Sequence, residues 1–205
     1  MPKAFATTLC LLAAAVSGPA KAAALSGPAL AKALQRGGYV LVMRHAASPM
    51  TPPGAAEADP ANPRHERQLD AAGKAAASGM GAAIRTLHIR IGRVWSSPTY
   101  RALETARLAG LPTPTTAAEL GDRGQSMSAA ADDQSAWLKA KAGEPPQPGT
   151  DDVLITHMPN IAAAFGEAAK GLGDGEALVF EPDRTGHAEL VARIPMADWP
   201  KLAGD

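Results

Sequence analysis

Cysteine is nearly absent from this chain. Of 205 residues only Cys10 is a cysteine, and it lies in an apolar stretch near the start. The rest of the chain therefore has no disulfide, no thiol nucleophile and no cysteine-based metal site. Net charge is also lacking, with 20 basic residues against 20 acidic ones. That balance argues against general nucleic-acid binding while leaving room for a locally positive pocket. Past the amino-terminal stretch no apolar run approaches membrane length, and no internal repeat is visible.

What is present begins with the pattern of a secretory signal peptide. Lys3 forms a short basic region, Ala4 to Val16 is apolar, and Ala20-Lys21-Ala22 and Ala22-Ala23-Ala24 offer small residues at cleavage spacing. The expectation is a signal peptide over 1–24, cut near Ala22 to Ala24. Thr7 stands where a lipobox would have leucine, so Cys10 is not expected to carry lipid. A periplasmic or secreted protein with no stable membrane insertion after cleavage follows. Residues 25–205, roughly 180 in all, suffice for one domain with a sizeable core.

Strand and helix patterns alternate along that domain. Pro28 to Arg36 reads as a helix ended by Gly37-Gly38, and Tyr39 to Met43 as a buried strand. Residues 47 to 66 carry Pro49, Pro52, Pro53, Pro60 and Pro63, which predicts a long loop. Asp70 is placed to cap a helix from Ala71 to about Leu87. Arg93 to Ser96 reads as a second strand, and Ser97-Pro98 as the N-cap and first residue of a helix running to Gly110. Leu120 to Met127 looks irregular, Ser135 to Lys141 a short helix, and Glu144 to Gly149 a linker. Val153 to His157 is the third strand, followed by a helix over Asn160 to Lys170. Ala177 to Phe180 and Ala188 to Ile194 pair around the turn Asp183-Arg184-Thr185-Gly186. The alternation predicts a three-layer α/β/α sandwich with a largely parallel central sheet.

Three positions then fall at one edge of such a sheet, the carboxyl ends of its strands, where ligands bind. Arg44-His45 follow strand one, Arg101 lies in the first turn after strand two, and His157 ends strand three. The helix start at Ser97-Pro98 adds backbone N–H groups that favour an anion. Arginine grips phosphate through parallel hydrogen bonds, and histidine is a nucleophile near neutral pH. The pattern points to phosphoryl chemistry.

At these residues the chain resembles the histidine phosphatase superfamily, also called phosphoglycerate mutase-like. The resemblance rests on Val42-Met43-Arg44-His45, on Arg67-Gln68-Leu69-Asp70-Ala71-Ala72-Gly73, on the segment from Ser96 to Ala106, and on Val153-Leu154-Ile155-Thr156-His157. It spans about residues 38 to 194. Its pattern is closest to small bacterial phosphohistidine phosphatase-like members. The resemblance implies that His45 takes the phosphoryl group and becomes phosphohistidine. It implies that Arg44, Arg101 and His157 hold the phosphoryl oxygens, with no cofactor and no metal. Spread positive charge suits that transfer. Ser48 matches a phosphate-contacting serine. In Glu119-Leu120-Gly121-Asp122 the proton donor of the mutase branch is matched by Asp122, with Glu119 or no protein acid as the alternatives. Met158 follows His157 where the acid phosphatase branch has aspartate, and Ala46 and Ala47 replace the glycine that usually follows Arg-His.

Other residues read as structural. His65, His88 and His187 are expected on surface or loops, Trp95, Trp137 and Trp199 in packing, and Glu104 in a helix-surface ion pair with Arg101. The expected function is an exported, metal-independent phosphatase for phosphomonoesters such as an envelope glycan phosphate. The alternatives are a non-catalytic phosphate-binding module and a phosphohistidine protein phosphatase.

Overall fold

The computed structural model describes residues 24–122, 130–183 and 185–204. The expected signal peptide, Arg123 to Met127 of the irregular stretch, and Arg184 of the hairpin turn lie outside the described residues.

The elements follow in the order α1 (Gly27–Arg36), β1 (Val40–Arg44), α2 (Ala71–Thr86), β2 (Ile91–Ser96), α3 (Tyr100–Leu108), β3 (Thr115–Thr116), α4 (Asp132–Ala142), β4 (Asp151–Thr156), α5 (Met158–Phe165), β5 (Ala177–Pro182), β6 (Ala188–Ile194) and α6 (Trp199–Leu202). The sheet order is β3-β2-β4-β1-β5-β6. β1, β2 and β3 run parallel to their neighbours on the β4 side, while β5 is antiparallel to both β1 and β6. Only β5 therefore opposes the other five strands.

Alternation along the central strands divides the core in two. Leu41 and Met43 of β1 and Val153 and Ile155 of β4 join one cluster with residues of α1, α2, α3 and α6, Trp199 at its base. Val40, Val42 and Leu154 face the other way, onto Leu138 of α4 and Ile161 of α5. Helices thus cover both faces, giving the expected three layers. β4 is buried at every position, as suits a central parallel strand.

Local chemistry sets the boundaries. The Asp70 carboxylate accepts from Gly73 N at 2.7 Å and caps α2 as expected. Gly73 itself is required by a close approach. A Cβ there would stand 2.2 Å from the carbonyl oxygen of Ala47, two residues past His45. The start of α3 differs from expectation. Thr99, not Ser97, is its N-cap, because the Ser97 hydroxyl bonds Thr99 N at 3.2 Å and Thr99 Oγ1 at 3.0 Å and holds a turn ahead of the helix. The helix expected over Asn160 to Lys170 ends at Phe165 and continues as a 3-10 turn, Gly166–Ala169.

Candidate active site

The three strand ends converge. β2, β4 and β1 are adjacent in the sheet, so Ser96-Ser97, Thr156-His157 and Arg44-His45 emerge side by side. Backbone bonds lock the convergence: His45 N donates to Thr156 O at 3.1 Å, and Ser97 N to Ile155 O at 2.8 Å. Thr105 on α3 ties the helix to the same turn, its Oγ1 accepting from Ala46 N at 3.1 Å and donating to Arg101 O at 2.8 Å.

The side chains meet in one hydrogen-bonded chain around Arg101, which is 1% exposed. Its Nε donates to His45 Nε2 at 3.1 Å, and its Nη2 reaches His157 Nδ1 at 3.1 Å and an Asp122 carboxylate oxygen. These contacts fix both tautomers. His45 Nδ1 lies 2.8 Å from the carbonyl oxygen of Ala46, which can only accept, so the proton sits on Nδ1 and Nε2 keeps its lone pair. Arginine can only donate, so His157 Nδ1 accepts and its Nε2–H donates to Ser97 Oγ at 2.8 Å. The two rings stand 5.3 Å apart, edge to face.

Electrostatics keeps both rings neutral. Burial pushes His45 well below the ordinary imidazole value, helped by His157, Arg101 and Arg44 and opposed by the Ala46 carbonyl. Burial, then Arg101, Arg67 and Arg44, pushes His157 down to about 3. A small pocket of about 190 Å³ opens on these groups, lined by Arg44, His45, Arg67, Arg101, Asp122 and His157, with Met50, Met158 and Pro159. Three guanidiniums face one carboxylate on that wall, a field that favours an anion.

Asp122 is brought in by its own supports. Gly121 O accepts from Gln134 Nε2 at 3.0 Å and from Asn160 Nδ2 at 3.1 Å, and Leu120 O accepts from Thr156 Oγ1 at 2.8 Å. The segment is thereby pinned against α4, β4 and α5. Glu119 does not line the pocket.

Several sequence expectations are corrected here. Ser48 is not aimed at the pocket: its hydroxyl donates to Gln68 O at 2.9 Å, because the chain after His45 lies along the approach to α2. The first N–H of α3 does not wait for an anion either, since Tyr100 N already donates to the Glu66 carboxylate at 2.8 Å. Glu104 is buried rather than on the surface. It accepts from Leu69 N at 3.0 Å and lies 3.5 Å from Lys74, because its face of α3 turns toward α2 and away from Arg101. His65, His88 and His187 are exposed, and Trp199 is wholly buried in packing. Arg44 is present at the mouth, paired with Asp174 at 2.8 Å.

Two residues escaped sequence reasoning. Arg67 is buried and lines the pocket. Its Nε donates to Pro49 O at 2.6 Å and its Nη2 to Ser48 O at 3.2 Å, clamping the proline loop. Nothing in Arg67-Gln68-Leu69 distinguishes it from a solvated arginine before a helix. Ser97 was visible only as a cap, and its contact with His157 depends on β2 and β4 being neighbours.

The sequence matches no family model and no curated protein. Solved structures are similar in shape. The protein histidine phosphatase SixA complexed with tungstate superposes with a TM-score of 0.57 at 20% identity, covering 78% of this chain and 98% of that one. A SixA-type protein of Agrobacterium tumefaciens gives 0.54 at 18% identity, covering 77% and 98%. A phosphoserine phosphatase of Entamoeba histolytica in complex with phosphoserine gives 0.51 at 13% identity, covering 77% and 97%. With its six-stranded, mostly parallel sheet between two helical layers, the chain has a phosphoglycerate mutase-like fold.

Proposed function

We propose that the protein is a metal-independent phosphatase that hydrolyses phosphomonoesters through a phosphohistidine on Nε2 of His45. One observation carries the reading. A neutral imidazole presents an unprotonated Nε2 inside a pocket walled by three arginines, held there by the Ala46 carbonyl. At rest Nε2 accepts from Arg101 Nε at 3.1 Å; a phosphoryl oxygen that takes over that N–H leaves the lone pair facing phosphorus.

In the proposed reaction the phosphoryl oxygens engage Arg44, Arg101 and the protonated faces of the pocket. Nε2 attacks phosphorus, and the bond to the leaving oxygen breaks with its electron pair going to that oxygen. The positive charge that develops on the ring is stabilised through Nδ1–H and the Ala46 carbonyl. Water then attacks phosphorus, the P–N bond breaks with its pair returning to Nε2, the water's proton passes through solvent to the departed oxyanion, and inorganic phosphate leaves. The guanidiniums supply the charge stabilisation that a metal gives elsewhere. His157 is held by Ser97 on one side and Arg101 on the other, and with both ring nitrogens engaged it positions that arginine. Asp122 is an acceptor from Arg101, which favours a role in setting that arginine over the proton donation that the sequence suggests.

The amino-terminal pattern supports export to the periplasm or beyond, and phosphomonoesters there, an envelope glycan phosphate among them, are the substrates that this compartment supplies. The SixA-type neighbours support a second reading, a phosphohistidine phosphatase acting on a protein. Hydrolysis of p-nitrophenyl phosphate in EDTA, by the natural chain and by His45→Ala, tests the proposal. Turnover that falls on the order of a thousandfold or more in the variant supports it. Equal turnover in both removes His45 from the mechanism.

A further inference from the structure

The pocket has two kinds of wall. Its floor is charged, built from the buried Arg67, Arg101, Asp122 and the two histidines, with Arg44 at the mouth. The rest is Met50, Met158 and Pro159. Met50 is 68% exposed and is the one exposed large hydrophobic residue among the described ones. A scattered surface methionine would need no explanation, but this one is held in place. The two carbonyls just before it, Ser48 O and Pro49 O, are gripped by the buried Arg67, whose side chain belongs to the same pocket. Met158 comes from a different element, the first residue of α5 directly after His157.

We infer that Met50 and Met158 form the leaving-group subsite and that it takes a flat apolar ring, so that the substrate class is an aryl phosphate monoester. The inference rests on the phosphatase reading above and narrows it away from a glycan. A cavity of about 190 Å³ is smaller than those that enclose whole ligands, so the leaving group extends beyond the charged groups, where the remaining lining is Met50, Met158 and Pro159. Thioethers pack well on aromatic rings. They give the hydroxyls of a sugar nothing to bond, and buried hydroxyls without partners are disfavoured. The polar side chains of the pocket are committed elsewhere: Arg44 and Arg101 to the phosphoryl oxygens, Arg67 to the loop carbonyls, and Asp122 to Arg101. An aryloxide also departs with little protonation, which suits a site whose lining carboxylate is held by an arginine.

Calorimetric binding of non-hydrolysable phosphonates separates this from the reading beneath it. The probes are benzylphosphonate, methylphosphonate and inorganic phosphate, measured on the natural chain, Met50→Ser and Met50→Leu. The expected result is tighter binding of benzylphosphonate than of methylphosphonate to the natural chain. Met50→Ser should weaken benzylphosphonate about three- to tenfold, the range of a lost sulfur–ring contact, and Met50→Leu much less. Inorganic phosphate, which reaches only the charged floor, reports on the pocket itself. Equal binding of the two phosphonates, or a Met50→Ser change that is the same for both, would overturn the subsite while leaving the phosphatase reading intact. Failure of all three probes to bind would overturn both.

Discussion

The two ends of the central sheet bury ionisable groups equally deeply and use them differently. At the carboxyl end Arg101, Asp122, His45 and His157 are all 1–3% exposed. At the amino end of β4, Asp151 and Asp152 are 0% and 1% exposed. Each end even leaves one buried atom without a hydrogen-bond partner, Nη1 of Arg101 and Oδ2 of Asp151. The partners of the other atoms differ. Asp151 accepts from Tyr39 N at 2.9 Å, and Asp152 accepts from Arg93 N at 2.8 Å and from its guanidinium. These carboxylates stitch β1 and β2 to β4. The carboxyl-end groups bond mainly to one another, across three strand ends, and face a pocket. Burial and orphan atoms do not mark a site by themselves; convergence of side chains on a shared cavity does.

Arg101→Lys should break that convergence most severely. An ammonium cannot fork to His45, His157 and Asp122 at once. The expected loss in kcat/KM is about a hundredfold or more, and the thermal midpoint should fall too, because buried acceptors lose their donor. A variant that keeps its activity would show that the fork is dispensable. A finer cut comes from Asp122→Asn, assayed on an aryl and an alkyl phosphate. If Asp122 serves to set Arg101, both substrates should slow to within about twofold of each other. A far larger loss on the alkyl ester would make Asp122 the proton donor.

The smallest expected effect lies at the other end, in stability rather than turnover. Burial raises Asp151 to about 7. The folded chain therefore keeps a proton that the unfolded chain releases from about pH 4 upward. Stability from this group is present at low pH and is lost as pH rises through 7. Asn keeps the acceptor for Tyr39 N and carries no charge. Asp151→Asn should thus gain stability over the natural chain as pH rises from 5 to 8, by about 1–2 kcal/mol, with kcat/KM unaltered. Urea midpoints at the two pH values check this; a gain that shrinks with pH would contradict the sign. The site histidines act in the opposite sense. His157, lowered to about 3, stays neutral in the folded chain while the unfolded chain takes up a proton below about 6.5. Stability tied to it is lost as pH falls below that value.

The carboxyl end was largely legible in the sequence, and the reason is local. Val40 to Met43 and Val153 to Ile155 are short apolar runs of β-branched and aliphatic residues that read as buried strands, and each leads to a candidate site residue. Asp70 announced α2 through a bond three residues away. What could not be read depends on which elements become neighbours. Arg67 looks like any arginine until the loop at Ser48 and Pro49 folds onto it. Ser97 and Ser48 have hydroxyls suited to capping or to phosphate, and tertiary contacts with His157 and Gln68 decided otherwise. For Glu104 the i,i+3 spacing points to Arg101, whereas α2 lies on its side of the helix and supplies Lys74.

The most direct test of the central claim is to catch the covalent intermediate. The protein is mixed with an aryl phosphate, quenched in alkali to preserve phosphohistidine, digested and read by mass spectrometry. The account predicts a phosphoryl group on the peptide carrying His45, absent from His45→Ala. Steady turnover with no phosphoenzyme, or a phosphoryl group on any other residue, would contradict it.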